Sequence, residues 1–182
     1  MPGRTAIFID GAYFEYILRE EYSSTRIDFK KLSEAMAGDA DVLRTYYYHC
    51  PPYQGSPPTI EESERYATRR KFFTALDRLP RYTVRLGRLA YRGDDADGKP
   101  RYEQKRVDIL LGVDLVRLAA KGQIQEAILV AGDSDFIPAV DAVQGDGVMV
   151  RLFHGQNPHS DLWQKADERI QFNQVFIDSV AL

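Results

Sequence analysis

The sequence predicts an α/β fold with a mainly parallel central sheet and helices on both faces, and three observations carry that prediction. Short, nearly continuous apolar runs recur along the chain, as buried parallel strands require. Stretches with apolar residues at helical spacing separate them. Two of the runs end in Gly and Asp: Thr5-Ala-Ile-Phe-Ile-Asp10-Gly11 and Ala127-Ile-Leu-Val-Ala-Gly-Asp-Ser-Asp-Phe136. In open α/β sheets the working site lies beyond the carboxyl ends of such strands.

The elements follow in order. A strand at 5–10 leads to a helix at about 12–21, and Asp28 starts a shorter helix over 28–37. The strand Val42–His49 runs into a loop from Cys50 to Thr59 that is rich in Pro, Gly and Ser and therefore exposed. A long helix covers 60–79 and stops at Pro80. Tyr82–Leu89 alternates like a strand, and Gly93–Gly98 reads as a solvated hairpin tip. The acids of that tip lack the length and closing Glu of a calcium loop. The chain returns through Lys99-Pro100-Arg101 to a helix over 105–121. A strand at 126–131, a helix at about 135–144 and a strand at 148–153 come next, then a short helix at 160–166 and a last strand near 170–177. There is no internal repeat.

Bulk properties fit a single domain over 1–182. The 182 residues are enough for a sizeable core and few for two domains. No apolar stretch approaches the roughly 20 residues of a membrane helix, and Arg4 leads straight into the first strand, so neither a membrane span nor a secretory leader is expected. The lone Cys50 excludes an internal disulfide and fits a reducing cytoplasm. In His49-Cys50-Pro51-Pro52 it reads as a strand-end core residue rather than as half of a nucleophilic Cys–His pair.

Asp10, Asp133 and Asp135 stand at two strand ends. Each could cap the helix that follows it. Three carboxylates at one rim point instead to a metal or phosphate site, and oxygen-only clusters suit hard cations, Mg²⁺ or Mn²⁺. In the helix over 105–121, Asp108 sits in the first turn, where the helix dipole favours negative charge. Asp114 lies on an apolar stripe with Val107, Leu110, Leu111 and Leu118, where a lone carboxylate must be paired or bound. Six residues apart, about 600° around the axis, the two do not share a face. Asp108 is therefore the direct contributor, with Asp114 a supporting carboxylate or the partner of a buried base or hydroxyl.

Phe8-Ile-Asp-Gly11, Lys105-Arg-Val-Asp108 with Asp114, Gly132-Asp-Ser-Asp-Phe136 and Ser160-Asp-Leu-Trp-Gln-Lys-Ala-Asp167 together resemble the NYN domain, in the LabA-like branch of the PIN-like nuclease superfamily. The resemblance covers roughly residues 4 to 175. It implies a PIN-like three-layer sandwich and a metal-dependent ribonuclease, with Asp10, Asp108, Asp133 and Asp135 as catalytic metal-binding carboxylates. One departure stands out: many members carry Asn shortly after the first Asp-Gly, where this chain has Ala12-Tyr13.

The net charge of −3 hides an asymmetry, because residues 65 to 106 alone carry a balance of +8. A basic segment in an acidic chain suits a phosphate-backbone substrate. Arg69, Arg70, Lys71, Lys105 and Arg106 are the expected RNA-binding cations. Aromatics interleave with this segment and can stack on unpaired bases, although Phe72, Phe73 and Leu76 read better as core. Cations among the carboxylates would lower the pKa of a bound water and stabilise charge on a phosphodiester, with no protein nucleophile needed. The four carboxylates should then converge within a few ångströms, as coordination at about 2.0–2.6 Å requires. Ser134 could contact phosphate or shape the turn, and His154 and His159 read as loop histidines. A haloacid dehalogenase-like phosphatase would need a second acid where Ala12 stands. A non-catalytic module binding RNA or a protein remains the alternative, and a homodimer is left open.

Overall fold

The computed structural model describes residues 3–182, so the first two residues of the expected domain lie outside the described residues. Six strands form one sheet: β1 (Arg4–Asp10), β2 (Asp41–His49), β3 (Tyr82–Leu86), β6 (Glu126–Val130), β7 (Met149–His154) and β8 (Glu168–Gln171). Their order is β3-β2-β1-β6-β7-β8, and every pair is parallel. The strands between them in sequence, β4 (Arg88–Asp94) and β5 (Pro100–Lys105), make a separate antiparallel hairpin.

Alternation along β1 divides the core in two. Ala6 and Phe8 face α4 (Val107–Ala120), α5 (Ile137–Gly145) and α6 (Ser160–Lys165), packing with Leu111, Leu115, Val140 and Leu162. Ile7 and Ile9 face α1 (Gly11–Glu21), α2 (Phe29–Ala37), α3 (Ile60–Asp77) and α7 (Gln174–Ser179), packing with Phe14, Leu32, Phe73 and Ile177. All four β1 residues are fully buried. Full burial of a side chain the size of Ile or Phe stabilises by about 1.5–3 kcal/mol. The result is a sheet between two helical layers. The expected core places of Phe73 and Leu76 hold; Phe72 is half-buried against the same core.

Two expectations are corrected. The stretch at 82–89 is not one strand. It breaks at Gly87, whose N–H donates to the His49 carbonyl at 2.9 Å. Any Cβ there would stand 2.3 Å from the Lys105 carbonyl oxygen, so the bend admits only glycine. The last strand ends at Gln171, and most of the stretch expected to extend it is the helix α7. Asn173 caps α7 by accepting the Phe176 N–H at 2.9 Å. Phe172, Phe176 and Ile177 then meet the core at helical spacing, and that burial outweighs the strand preference of Val, Phe and Ile.

The connections run outward from the middle, β1 to β2 to β3 one way and β6 to β7 to β8 the other. The switch point is between β1 and β6, where an open α/β sheet leaves its crevice. Ile9 pairs with Val130, so Asp10 and the segment after β6 emerge at that crevice together.

Candidate functional site

Asp10 closes β1 and caps α1, its carboxylate accepting the Tyr13 N–H at 3.2 Å. Asp133 likewise accepts the Asp135 N–H at 2.9 Å and begins a single 3₁₀ turn over Ser134–Phe136. The capping role and the rim position thus coexist in the same side chains. Asp108 enters from the other helical layer, in the first turn of α4. Arg106 precedes that helix at φ 76°, a left-handed conformation that turns the hairpin sharply into it.

Electrostatics ties the carboxylates together. The Asp10 carboxyl is pushed up to about 6; burial contributes most, the Tyr13 hydrogen bond opposes it, and the charge on Asp108 adds to the rise. Asp108 is also raised, by crowding around its carboxyl and then by the charges of Asp133 and Asp135, although the residue as a whole is exposed. All four therefore share one rim. They do not close up as expected: among the described residues, no three His, Cys, Asp or Glu side chains stand close enough to hold an ion. Like charges repel, and Asp10 and Asp133 are each drawn onto a backbone N–H. The donor chemistry fits a hard divalent cation. It is oxygen-only and multiply acidic, and Asp10 is held so far above the ordinary range that positive charge would relieve it.

A second network, which sequence reasoning missed, lies beside Asp10. Glu15 of α1 accepts from Arg69 of α3 at 2.7 Å and from the Tyr47 hydroxyl at 3.1 Å, and meets His49 Nε2 at 3.2 Å. Burial raises the Glu15 carboxyl, but His49 and Arg69 together bring it down to about 2. His49 is also among the groups that lower the Asp10 carboxyl. The one available signal was Glu15 itself, an acid between the buried Phe14 and Ile17. His49 Nδ1 takes the Cys50 N–H at 2.8 Å, and burial pushes the Cys50 thiol up, so no Cys–His nucleophile forms.

The remaining candidates divide. Asp114 accepts the Tyr48 hydroxyl at 3.0 Å, Arg85 through two nitrogens at 3.1 and 3.2 Å, and Arg117 at 3.2 Å. Of its two expected roles it takes the second, partner to a buried hydroxyl and bases. Arg69 is not the free cation expected, since Glu15 holds it and it lies 4.9 Å over the rings of Phe72 and Phe73. Lys105 pairs with Glu103. Arg70 and Lys71 are exposed and, with Thr74, Ala75 and Arg78, border a shallow open cleft; Arg106 is exposed. Ser134 is half-buried in the 3₁₀ turn. No helix among the described residues is long and apolar enough to cross a membrane.

A six-stranded parallel α/β sandwich with aspartates at its switch point defines a PIN-like fold. The family model of the NYN domain matches residues 4–173, and the chain belongs to that family, within the PIN-like nuclease superfamily. Members of that superfamily typically use divalent metals. The fold is similar to the crystal structure of a protein of unknown function from Vibrio parahaemolyticus, with a TM-score of 0.68 and 21% identity over 100% of this chain and 97% of that one. No curated protein matches the sequence.

Proposed function

We propose that this NYN protein, of the LabA-like branch, is a metal-dependent ribonuclease that hydrolyses RNA phosphodiester bonds. What supports the reading is that Asp10, Asp108 and the Asp133–Asp135 turn share one rim at the β1/β6 switch point and feel one another's charge, with Asp10 raised to about 6. These four carboxylates would hold Mg²⁺ or Mn²⁺. Such an ion, when bound, lowers the pKa of a coordinated water and stabilises charge on the phosphate.

The chain's own residues do the rest. The Tyr13 and Asp135 N–H groups orient Asp10 and Asp133 before substrate arrives. Glu15 fixes His49 and Arg69 beside the rim, where fixed dipoles and charges need little reorganisation during reaction. Arg70, Lys71 and Arg106 offer charge to the RNA backbone from the surface, with Ser134 next to the acids.

The test is incubation of the protein with RNA and DNA oligonucleotides in Mn²⁺ or Mg²⁺ against an EDTA control, with Asp10→Asn alongside. Metal-dependent RNA cleavage that falls at least about tenfold in the variant, roughly 1.4 kcal/mol of transition-state stabilisation, supports the proposal. Cleavage by the variant at the wild-type rate overturns it. The separation of the carboxylates favours one second reading, a non-catalytic module binding RNA or protein. RNA retained in EDTA and left intact in Mn²⁺ selects that reading.

A further inference from the structure

The hairpin β4–β5 leaves the body of the protein at the same rim. Its base is fastened there by the bend at Gly87, and its second strand ends at Lys105, three residues before Asp108. Three tyrosines gather along it. Tyr91 and Tyr102 are cross-strand partners with ring centroids 6.1 Å apart. Tyr53, from the loop after β2, lies 6.1 Å from Tyr91 and 5.3 Å from Tyr102. Such tilted contacts within about 7 Å are mutually stabilising and hold the rings as one unit. Yet Tyr91 and Tyr102 remain 45% and 42% exposed.

A cleft of about 570 Å³ opens between this hairpin and the loop, lined by Pro51, Tyr53, Arg88, Tyr91 and Arg92 among others. That volume is within the range that holds small organic groups, about 300–1,000 Å³. The hairpin's carboxylates are largely committed. Asp94 accepts the Tyr91 hydroxyl at 2.8 Å, and Glu103 is held by Arg92 and Lys105. Asp95 folds its carboxylate onto the N–H groups of Asp97 and Lys99 at 2.9 Å each, at the far tip. Arg88 has no ion-pair partner among the described residues and lines the cleft with Tyr53 and Tyr91. Tyr102 is three strand residues from Lys105, about 10 Å along the hairpin.

We infer that Tyr53, Tyr91 and Tyr102 form a stacking platform for the unpaired bases of single-stranded RNA, with Arg88 on its phosphates, leading the strand toward the carboxylate rim. The inference rests on the ribonuclease reading for its ligand. Exposed rings beside an unpaired cation match single-stranded nucleic acid, because every base presents a π-face while the backbone presents charge. A duplex keeps its bases in the stack, where these rings cannot reach them.

The experiment measures affinity by anisotropy for a labelled single-stranded oligoadenylate and for a blunt RNA duplex, in EDTA, across a salt series. The wild type is compared with Tyr91→Ala/Tyr102→Ala, Tyr91→Phe/Tyr102→Phe and Arg88→Ala. The alanine pair should lose at least about tenfold in single-strand affinity, since stacking is worth about 1–3 kcal/mol per base. The phenylalanine pair should keep it, which assigns the loss to the rings rather than to their hydroxyls, and an unchanged melting temperature in the alanine pair excludes unfolding as the cause. Arg88→Ala should instead flatten the salt dependence. Unchanged affinity in the alanine pair overturns the inference, and so does a wild type that binds duplex as tightly as single strand. A wild-type dimer that the alanine pair dissociates also overturns it, making this face an interface between copies. Hydrolysis of bis(p-nitrophenyl) phosphate by the wild type in Mn²⁺, a substrate with no base to stack, reports on the carboxylates alone. Its failure beside intact single-strand binding sinks the ribonuclease reading and keeps the platform.

Discussion

Gly132 lies directly against the ring of Tyr13: a Cβ at Gly132 would stand 2.3 Å from Tyr13 Cε2. The contact joins the end of β6 to the first turn of α1, and the Tyr13 hydroxyl goes on to accept the Gly155 N–H at 3.1 Å. Tyr13 thus occupies the region where many family members carry Asn and braces three segments there. Gly132→Ala should destabilise by about 1–3 kcal/mol through overpacking. Combined with Tyr13→Ala, it should cost clearly less than the two single changes added. Urea melts of the four proteins measure the coupling, and strict additivity would show that the ring is not what excludes the methyl.

Asp10 makes the metal-free protein sensitive to pH. Its folded pKa of about 6 exceeds the ordinary 3.8, so the folded state holds the proton more tightly. That contribution is complete below the ordinary value and is lost as pH rises through about 6. Asp10→Asn preserves the cap and has no charge to bury. In EDTA near neutral pH the variant should be more stable than wild type by roughly 1–3 kcal/mol. The gap should close as pH falls toward 4. Added Mn²⁺ should stabilise wild type more than the variant. Thermal melts across that pH range, with and without metal, decide it; a variant that melts lower at neutral pH contradicts the assigned burial cost.

Asp114→Asn should act in the opposite sense. It strands Arg85 and Arg117 and weakens the Tyr48 bond. Removing one partner of a buried pair costs about 3–5 kcal/mol, less here because both arginines reach solvent. A drop in melting temperature with metal-induced stabilisation intact is expected. Loss of the metal response in a folded variant would return Asp114 to the metal site.

Arg69 and Arg70 are neighbours with different duties. Arg69→Glu places a carboxylate against Glu15 and should lower stability by at least about 1 kcal/mol. Arg70→Glu should leave melting within about 0.5 kcal/mol of wild type and lower the slope of log affinity against log salt by roughly one unit. Equal melting temperatures for the two variants would mean that the Glu15 pair carries no weight.

The strand-end aspartates were legible because burial and chemistry are both written locally there: apolar runs that stop at Asp10 and Asp133 leave the next side chains at a rim. Asp108 is favoured over Asp114 because the two cannot share one helix face and because it matches the family motif, whereas its first-turn position alone reads as an ordinary helix start. The Glu15–His49–Arg69 network was not, since α1, β2 and α3 contribute one member each and only packing brings them together. For the same reason Arg69 read as surface charge. The chain between Gln171 and Ser179 misled because its apolar residues suit strand and helix alike, and contact with the core through Ile177 decided the matter.

Thr5 pairs with Glu126, and Ile9 with Val130, so the centre of the sheet joins residues 121 positions apart. During synthesis β1 can acquire β2 early, but its other edge stays bare until β6 emerges. A nascent or truncated chain therefore carries Asp10 on an unfinished edge, without the turn that brings Asp133 and Asp135. Such late, long-range pairing is slow to form and leaves an edge that can stick to other chains. It also means that Asp133 and Asp135 can join Asp10 and Asp108 at one rim only after β6 has been made.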